Sequence, residues 1–236
     1  MYHRYQVISL AAFMILLCLT ASQGLSQEVP AGTQWGLGIS SQYDIPLYTF
    51  YDRFNGGANL GIKISFVKNN TFYDITFFNS EFSQGKIEKT KFQWVFDGNY
   101  YSSPKASSDI SFHGLLATLQ KPFHFSLGPL VPFWSVGSGF IYYKHEIRNL
   151  VFPGQSVPPL DENFIYSPDD EKRTSFSVNF GGGFAYQAAP QLKLALNFRY
   201  NIIFGYLRPM EAWFLEKVTP MQLFGIGLDF TYYFNK

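Results

Sequence analysis

From Gln34 onward, large apolar side chains recur at every second position, and Gly, Ser, Asn, Thr or Ala occupy most of the positions between them. A period of two sends the two sets to opposite faces of an extended strand and does not fit a helix, whose faces repeat every 3.6 residues. Eight segments carry the pattern: 34–41, 58–67, 71–79, 109–120, 133–143, 174–187, 192–201 and 223–234. In the last, Phe224, Ile226, Leu228, Phe230, Tyr232 and Phe234 oppose Gly225, Gly227, Asp229 and Thr231. The fourth is the least regular, because Leu115 and Leu116 are adjacent, and a bulge is expected there.

The connections are short between segments two and three (68–70) and between six and seven (188–191), and intermediate at 121–132. The stretches 42–57, 80–108, 144–173 and 202–222 are much longer. Short turns at one end and long loops at the other are the arrangement of a transmembrane barrel. If Asn69 and Asn70 form a two-residue hairpin turn, Phe66 faces Tyr73, Ile64 faces Ile75 and Ile62 faces Phe77, with Ser65 opposite Asp74 and Lys63 opposite Thr76. Both faces then sort correctly, which a slip of one residue would destroy.

Alternation by itself does not say which face is outside. An eight-stranded barrel has an interior only just wide enough for side chains to fill it. The Phe, Tyr, Trp, Leu and Ile set is too bulky for that space, whereas the Gly, Ser, Asn and Ala set leaves room for a few long polar groups. The bulky face therefore points outward, where only lipid makes it stable. Charge placement agrees: within the strand interiors Lys63, Asp74, Lys193, Arg199 and Asp229 all lie on the small-residue face. A charge facing lipid at mid-depth costs roughly 2–4 kcal/mol. Inside the lumen the same groups can pair, Lys63 with Asp74 on the diagonal and Asp229 with Arg199, and a lumenal ion-pair network that closes the barrel is expected.

Composition narrows the function. With 18 Lys+Arg against 17 Asp+Glu the chain is nearly neutral, which excludes a nucleic-acid binder driven by bulk positive charge. With 19% aromatic residues it is far too apolar for a disordered chain. Met1 to Arg4 is basic, Val7 to Ala21 is mostly apolar, and Ser22 to Ser26 is small and polar around Gly24, the order of a secretory signal peptide with cleavage after Gly24 or Ser26. The expected organisation is a leader over 1–26 and one barrel domain over 27–236. Cys18 falls in the leader, so a mature chain has no thiol, and Leu17 before it is too large for a lipoprotein signal.

The motifs Pro132-Phe-Trp-Ser-Val-Gly-Ser-Gly-Phe-Ile-Tyr-Tyr143 and Gly225-Ile-Gly-Leu-Asp-Phe-Thr-Tyr-Tyr-Phe234, with the leader and the eight alternating strands, resemble the small bacterial outer-membrane β-barrel family of the outer membrane protein A and outer membrane protein W types. The resemblance implies an all-β, eight-stranded antiparallel up-and-down transmembrane β-barrel in the outer membrane of a Gram-negative bacterium. It also implies a last strand read by the barrel-assembly machinery through Phe230, Tyr232 and Phe234. Asn235 and Lys236 depart from that pattern by following the terminal aromatic residue.

Sharper chemistry finds little support. The pairs Gly36 and Gly38, Gly137 and Gly139, and Gly225 and Gly227 lack the third glycine and following helix of a nucleotide cradle, and read as lumenal positions. Gly181 to Gly183 reads as a strand bend. Asp109, Ser111 and His113 share one face of one strand, and the expected reading is a polar lumen rather than a catalytic group. The run Asp169, Asp170, Glu171, Lys172, Arg173 reads as a charge-balanced solvated loop. The loop segments Lys91 to Phe96 and Asn99 to Tyr101 are aromatic-rich, and Pro209 to Lys217 has the pattern of a short amphipathic helix; rigid capping of the barrel is expected of them. The expectation is thus a monomeric structural anchor, with no catalytic residues, cofactor or metal, whose loops meet lipopolysaccharide, outer-membrane lipids or a surface ligand. A narrow lateral pathway for small hydrophobic molecules is the second reading, and a lipid-modifying barrel enzyme the third.

Overall fold

The computed structural model describes residues 33–83, 85, 91–165, 169–207 and 218–234. The expected leader with Cys18, the segment 209–217, and Asn235 and Lys236 lie outside the described residues. The strands are β1 (Gln34–Leu47), β2 (Gly57–Lys68), β3 (Thr71–Phe82), β4 (Lys91–Gln93), β5 (Tyr100–Ser102), β6 (Ser107–Pro122), β7 (Leu130–Arg148), β8 (Asp169–Ala189), β9 (Leu192–Ile203) and β10 (Met221–Phe234). Eight of them close an antiparallel barrel in the order β1-β2-β3-β6-β7-β8-β9-β10, while β4 and β5 form a separate ribbon in the loop between β3 and β6.

Following partners around the wall from Gly36 leads through Ser65, Asp74, Thr118, Gly137, Asn179, Asn201 and Leu223 to Pro46, ten residues further along β1. With a rise of about 3.3 Å per residue and a strand spacing of about 4.8 Å, that stagger tilts the strands by roughly 40° from the axis. The β2–β3 register is the one expected, with Phe66 opposite Tyr73 and Ser65 opposite Asp74. Its cause is the turn: Asn69 and Asn70 both have positive φ, 50° and 57°, the requirement of a type I′ hairpin, which asparagine tolerates.

The outer wall is apolar. Ile39, Leu60, Ile62 and Phe140 are each at least 60% exposed, a state that only an acyl environment stabilises over so wide a band. Among the described residues, charged side chains on this wall occur only near the strand ends. Lys68 and Lys121 stand at the short-turn rim; Glu81, Asp109, Lys144, Glu146, Arg148 and Lys172 stand at the long-loop rim.

Four expectations are corrected. β6 has no bulge, because Leu115 points out and Leu116 turns into the lumen with both neighbouring registers unbroken. Asp109, Ser111 and His113 face outward rather than into the lumen, since Ile110 and Phe112 take the inward positions; His113 stacks on Tyr142 of β7, at 6.2 Å between ring centroids. The run 169–173 is not loop but the start of β8, paired with Tyr143 to Ile147. Charges there are compatible with a strand because it has already left the apolar band. The glycines 181–183 keep continuous pairing on both sides, and the irregularity of β8 lies instead between Gln187 and Ala189.

Candidate functional site

Inward-facing side chains divide the lumen into three layers. The first, towards the short turns, is ionic. Strand alternation aims Lys63 of β2, Asp74 of β3, Lys193 of β9 and Asp229 of β10 at the axis, and all four are buried. The Lys63 ammonium donates to Asp229 at 2.7 Å and lies 3.6 Å from Asp74. Asp74 also accepts from Ser65 Oγ at 2.5 Å and from Gln120 Nε2 at 2.8 Å, and Ser65 lies 3.2 Å from the Tyr233 hydroxyl. Lys193 reaches Gln120 Oε1 at 3.5 Å and sits 3.5 Å over the Phe72 ring. Two lysines and two aspartates balance within this layer. A network with its members bonded on several sides can offset the desolvation of its charges, whereas an isolated pair often cannot.

Arg199 stands apart from Asp229. It lines a void of about 10 Å³ with Asp44, Asn59 and Asn201, so the lumen contains a second charged group where an Asp229–Arg199 pair was expected. Asp44 accepts from Asn59 Nδ2 at 2.7 Å and from the Gln42 side-chain amide. Around this middle layer Thr118 Oγ1, Ser177 Oγ, Arg199 Nε and both polar atoms of the Asn179 side chain are buried without a protein partner. Buried polar groups of this kind are ordinarily satisfied by water.

The third layer, towards the long loops, is apolar. Phe50 and Phe54, from the loop after β1, turn down into the barrel mouth and pack with Phe78, Phe82, Ile110, Phe112, Tyr143 and Ile203, all buried. The Tyr143 hydroxyl donates to the Tyr206 carbonyl at 2.7 Å. The loops after β1 and β3 are joined by Asn55 N–H to Ser83 O at 2.9 Å and Gly85 N–H to Arg53 O at 2.8 Å.

Beyond the cap, the β4–β5 ribbon packs Phe92 and Trp94 against Ile147, Leu150, Val151 and Leu160, and the Trp94 indole N–H donates to the Pro153 carbonyl at 3.2 Å. This anchors a platform whose outer surface shows Val95, Phe96, Tyr100 and Val157. Desolvation works against ionisation of Asp97 in the ribbon turn, but hydrogen bonds from Tyr101 and Asn99 outweigh it and hold the carboxylate below its usual range.

The arrangement closest to catalysis is one the sequence did not single out. His145, beyond the Tyr142 level of β7, has its Nε2 2.8 Å from Ser108 Oγ, and Glu171 is its register partner on β8. Nothing bonds His145 Nδ1, so the carboxylate does not orient the imidazole as in a Ser-His-acid relay. Both Ser108 and His145 are completely buried under the loop cluster. Among the described residues no cluster of His, Cys, Asp and Glu has the arrangement of a metal site.

No protein-family model and no curated protein matches the sequence. Solved structures do match the fold. A major outer membrane protein from Thermus thermophilus superposes with a TM-score of 0.53 at 9% identity, covering 86% of this chain and all of that one. The chain shares its fold, a closed antiparallel β-barrel, with that outer membrane protein. Neisserial surface protein A gives a TM-score of 0.49 at 12% identity over 86% of this chain and 99% of its own. The Yersinia pestis attachment invasion locus protein Ail gives 0.41 at 13% identity over 87% and 100%. In transmembrane barrels with this loop pattern the short turns are periplasmic and the long loops extracellular; here the ionic layer lies at the short-turn end and the aromatic platform among the long loops.

Proposed function

We propose that the barrel is a closed, non-enzymatic anchor that presents its extracellular loops to lipopolysaccharide or another surface ligand. The observation that carries this reading is the double closure of the lumen: an ionic layer bonded across β2, β3, β6 and β10, and above it a cap into which the first loop inserts Phe50 and Phe54. A lateral pathway for small hydrophobic molecules needs an apolar lumenal cavity, whereas the void between the two layers is about 10 Å³ and lined partly by Asp44 and Arg199. That volume is roughly the least that holds one water. Catalysis is disfavoured by the burial of Ser108 and His145 and by the unbound Nδ1.

The exposed aromatic platform supports a loop-borne role, because its base is packed while Val95, Phe96 and Tyr100 are exposed. On this reading the barrel works as a monomer and needs no cofactor. Phe230, Tyr232 and Phe234, facing outward at the end of β10, are the residues the assembly machinery reads. Reconstituted into planar bilayers, the protein is expected to show no steady single-channel current, and liposomes carrying it to take up a hydrophobic dye no faster than empty ones. A stable open pore, or dye uptake proportional to protein, refutes the closed anchor.

A further inference from the structure

The lipid-facing wall is not uniformly convex. A groove of about 640 Å³ crosses it where β2, β3, β6, β7 and β8 meet the acyl region. Its floor is Ala117 of β6 and Ser138 of β7, which are register partners. On the same two strands Leu115 and Phe140 rise on one side of the floor, and Leu119 and Val136 on the other. Outward side chains along a strand repeat every two residues, about 6.6 Å, so a shortened position between tall neighbours leaves a trough about one hydrocarbon chain wide.

The side of the groove towards the short turns, formed by Leu119 and Val136, continues through their register neighbours Tyr73 and Phe66. The next outward residue beyond Phe66 on β2 is Lys68, and the next beyond Leu119 on β6 is Lys121; both are exposed. β2 and β6 are separated by one strand, so the two backbones stand roughly 10 Å apart and two lysine side chains can converge on one group. Among the described residues no carboxylate stands on the outer wall at this rim. An apolar recess inside the membrane, with two cations one outward residue beyond its short-turn border and at the headgroup level, has the polarity of a single anionic lipid.

We propose that this groove is a binding site for one anionic glycerophospholipid of the periplasmic leaflet, with an acyl chain over Ala117 and Ser138 and its phosphate held by Lys68 and Lys121. A second copy of the chain fits less well, because a trough one side chain wide offers far less than the roughly 800 Å² per partner of a stable interface, and such contact would leave both lysines without a counter-charge. The inference rests on the outward orientation of the wall and is independent of what the loops bind.

The test is native mass spectrometry of the barrel released from bilayers of dioleoyl phosphatidylglycerol and dioleoyl phosphatidylcholine in equal amounts. The wild type is expected to retain one phosphatidylglycerol per barrel. Filling the groove with Ala117→Leu and Ser138→Leu should lower that occupancy about tenfold, while the heat-dependent gel shift of a folded barrel persists because both leucines face lipid. Lys68→Gln with Lys121→Gln should keep a bound lipid but reduce the preference for phosphatidylglycerol, by about fivefold per lysine at roughly 1 kcal/mol each. The proposal is overturned if the filled barrel retains as much lipid as the wild type, or if the wild type retains none or shows no preference. It is equally overturned if a dimer is found that the two leucines abolish, since the occupant is then a second copy.

Discussion

Lys63→Ala destabilises the barrel by about 3–5 kcal/mol, the cost of leaving buried charge without its partner. Lys63 is the cation that both Asp229, at 2.7 Å, and Asp74, at 3.6 Å, face in the described lumen. Lys193 cannot replace it, because that ammonium sits over Phe72 and reaches Gln120 rather than either carboxylate. Urea unfolding in phospholipid vesicles, followed by tryptophan fluorescence, measures the loss. Asp74→Ala made on top of Lys63→Ala should cost much less than Asp74→Ala made alone, because the two side chains share one network. Replacing Lys63, Asp74 and Asp229 together with apolar residues of similar volume should recover most of the stability, since a packed apolar layer has no charge to desolvate. Additive single-variant effects would mean that Lys63 and Asp74 act independently.

Phe112→Ala is expected to cost about 3–5 kcal/mol as well, by a different mechanism: the lost burial of a large ring together with the cavity it leaves. Phe112 is wholly buried and is the hub of the cap, with ring centroids 6.0 Å from Phe50, 5.2 Å from Phe82 and 6.1 Å from Tyr143. Loss of the hub removes the ring against which Phe50 of the first loop stacks. Even so, the variant should carry no more current than the wild type, because the ionic layer closes the periplasmic half separately. The same urea series gives the stability change, and planar-bilayer recordings give the conductance; a conducting Phe112→Ala barrel would show that the cap is the only seal.

The sequence made the wall and the polar half of the lumen legible, because in β2, β3 and β10 the period-two pattern pairs tall residues outside with small or charged ones inside. The Asn69–Asn70 turn then fixed the register that places Lys63 near Asp74. Asp44 was within reach of the same reasoning: Gly36, Gly38, Ser40, Gln42 and Asp44 continue one phase, and only the assignment of a strand end after Ser41 hid it. The apolar cap was not legible. Inward positions near the long-loop end carry Phe78, Phe82, Ile110 and Phe112, so the rule that small residues face the axis reverses where the mouth is filled from the loop side. Strand β6 shows the consequence, since the outward Asp109, Ser111 and His113 look lumenal by that rule. The lengths of β7 and β8 were hidden for a related reason. Lys144, Glu146 and Lys172 mark a loop only if charge is barred from a strand, and above the apolar band nothing bars it. Local pattern therefore reads well where membrane and lumen impose opposite chemistry, and poorly where water replaces the membrane.

The orientation of the strands can be measured directly by attaching a nitroxide to single cysteines placed one at a time from Ala58 to Val67 of β2, in a chain without Cys18 and in phospholipid vesicles. Collision with oxygen, which concentrates among acyl chains, should peak at Leu60, Ile62, Ile64 and Phe66 and fall at Gly61, Lys63 and Ser65. The reverse phase, or accessibility to a water-soluble nickel complex at the four apolar positions, would show that the bulky face does not meet lipid.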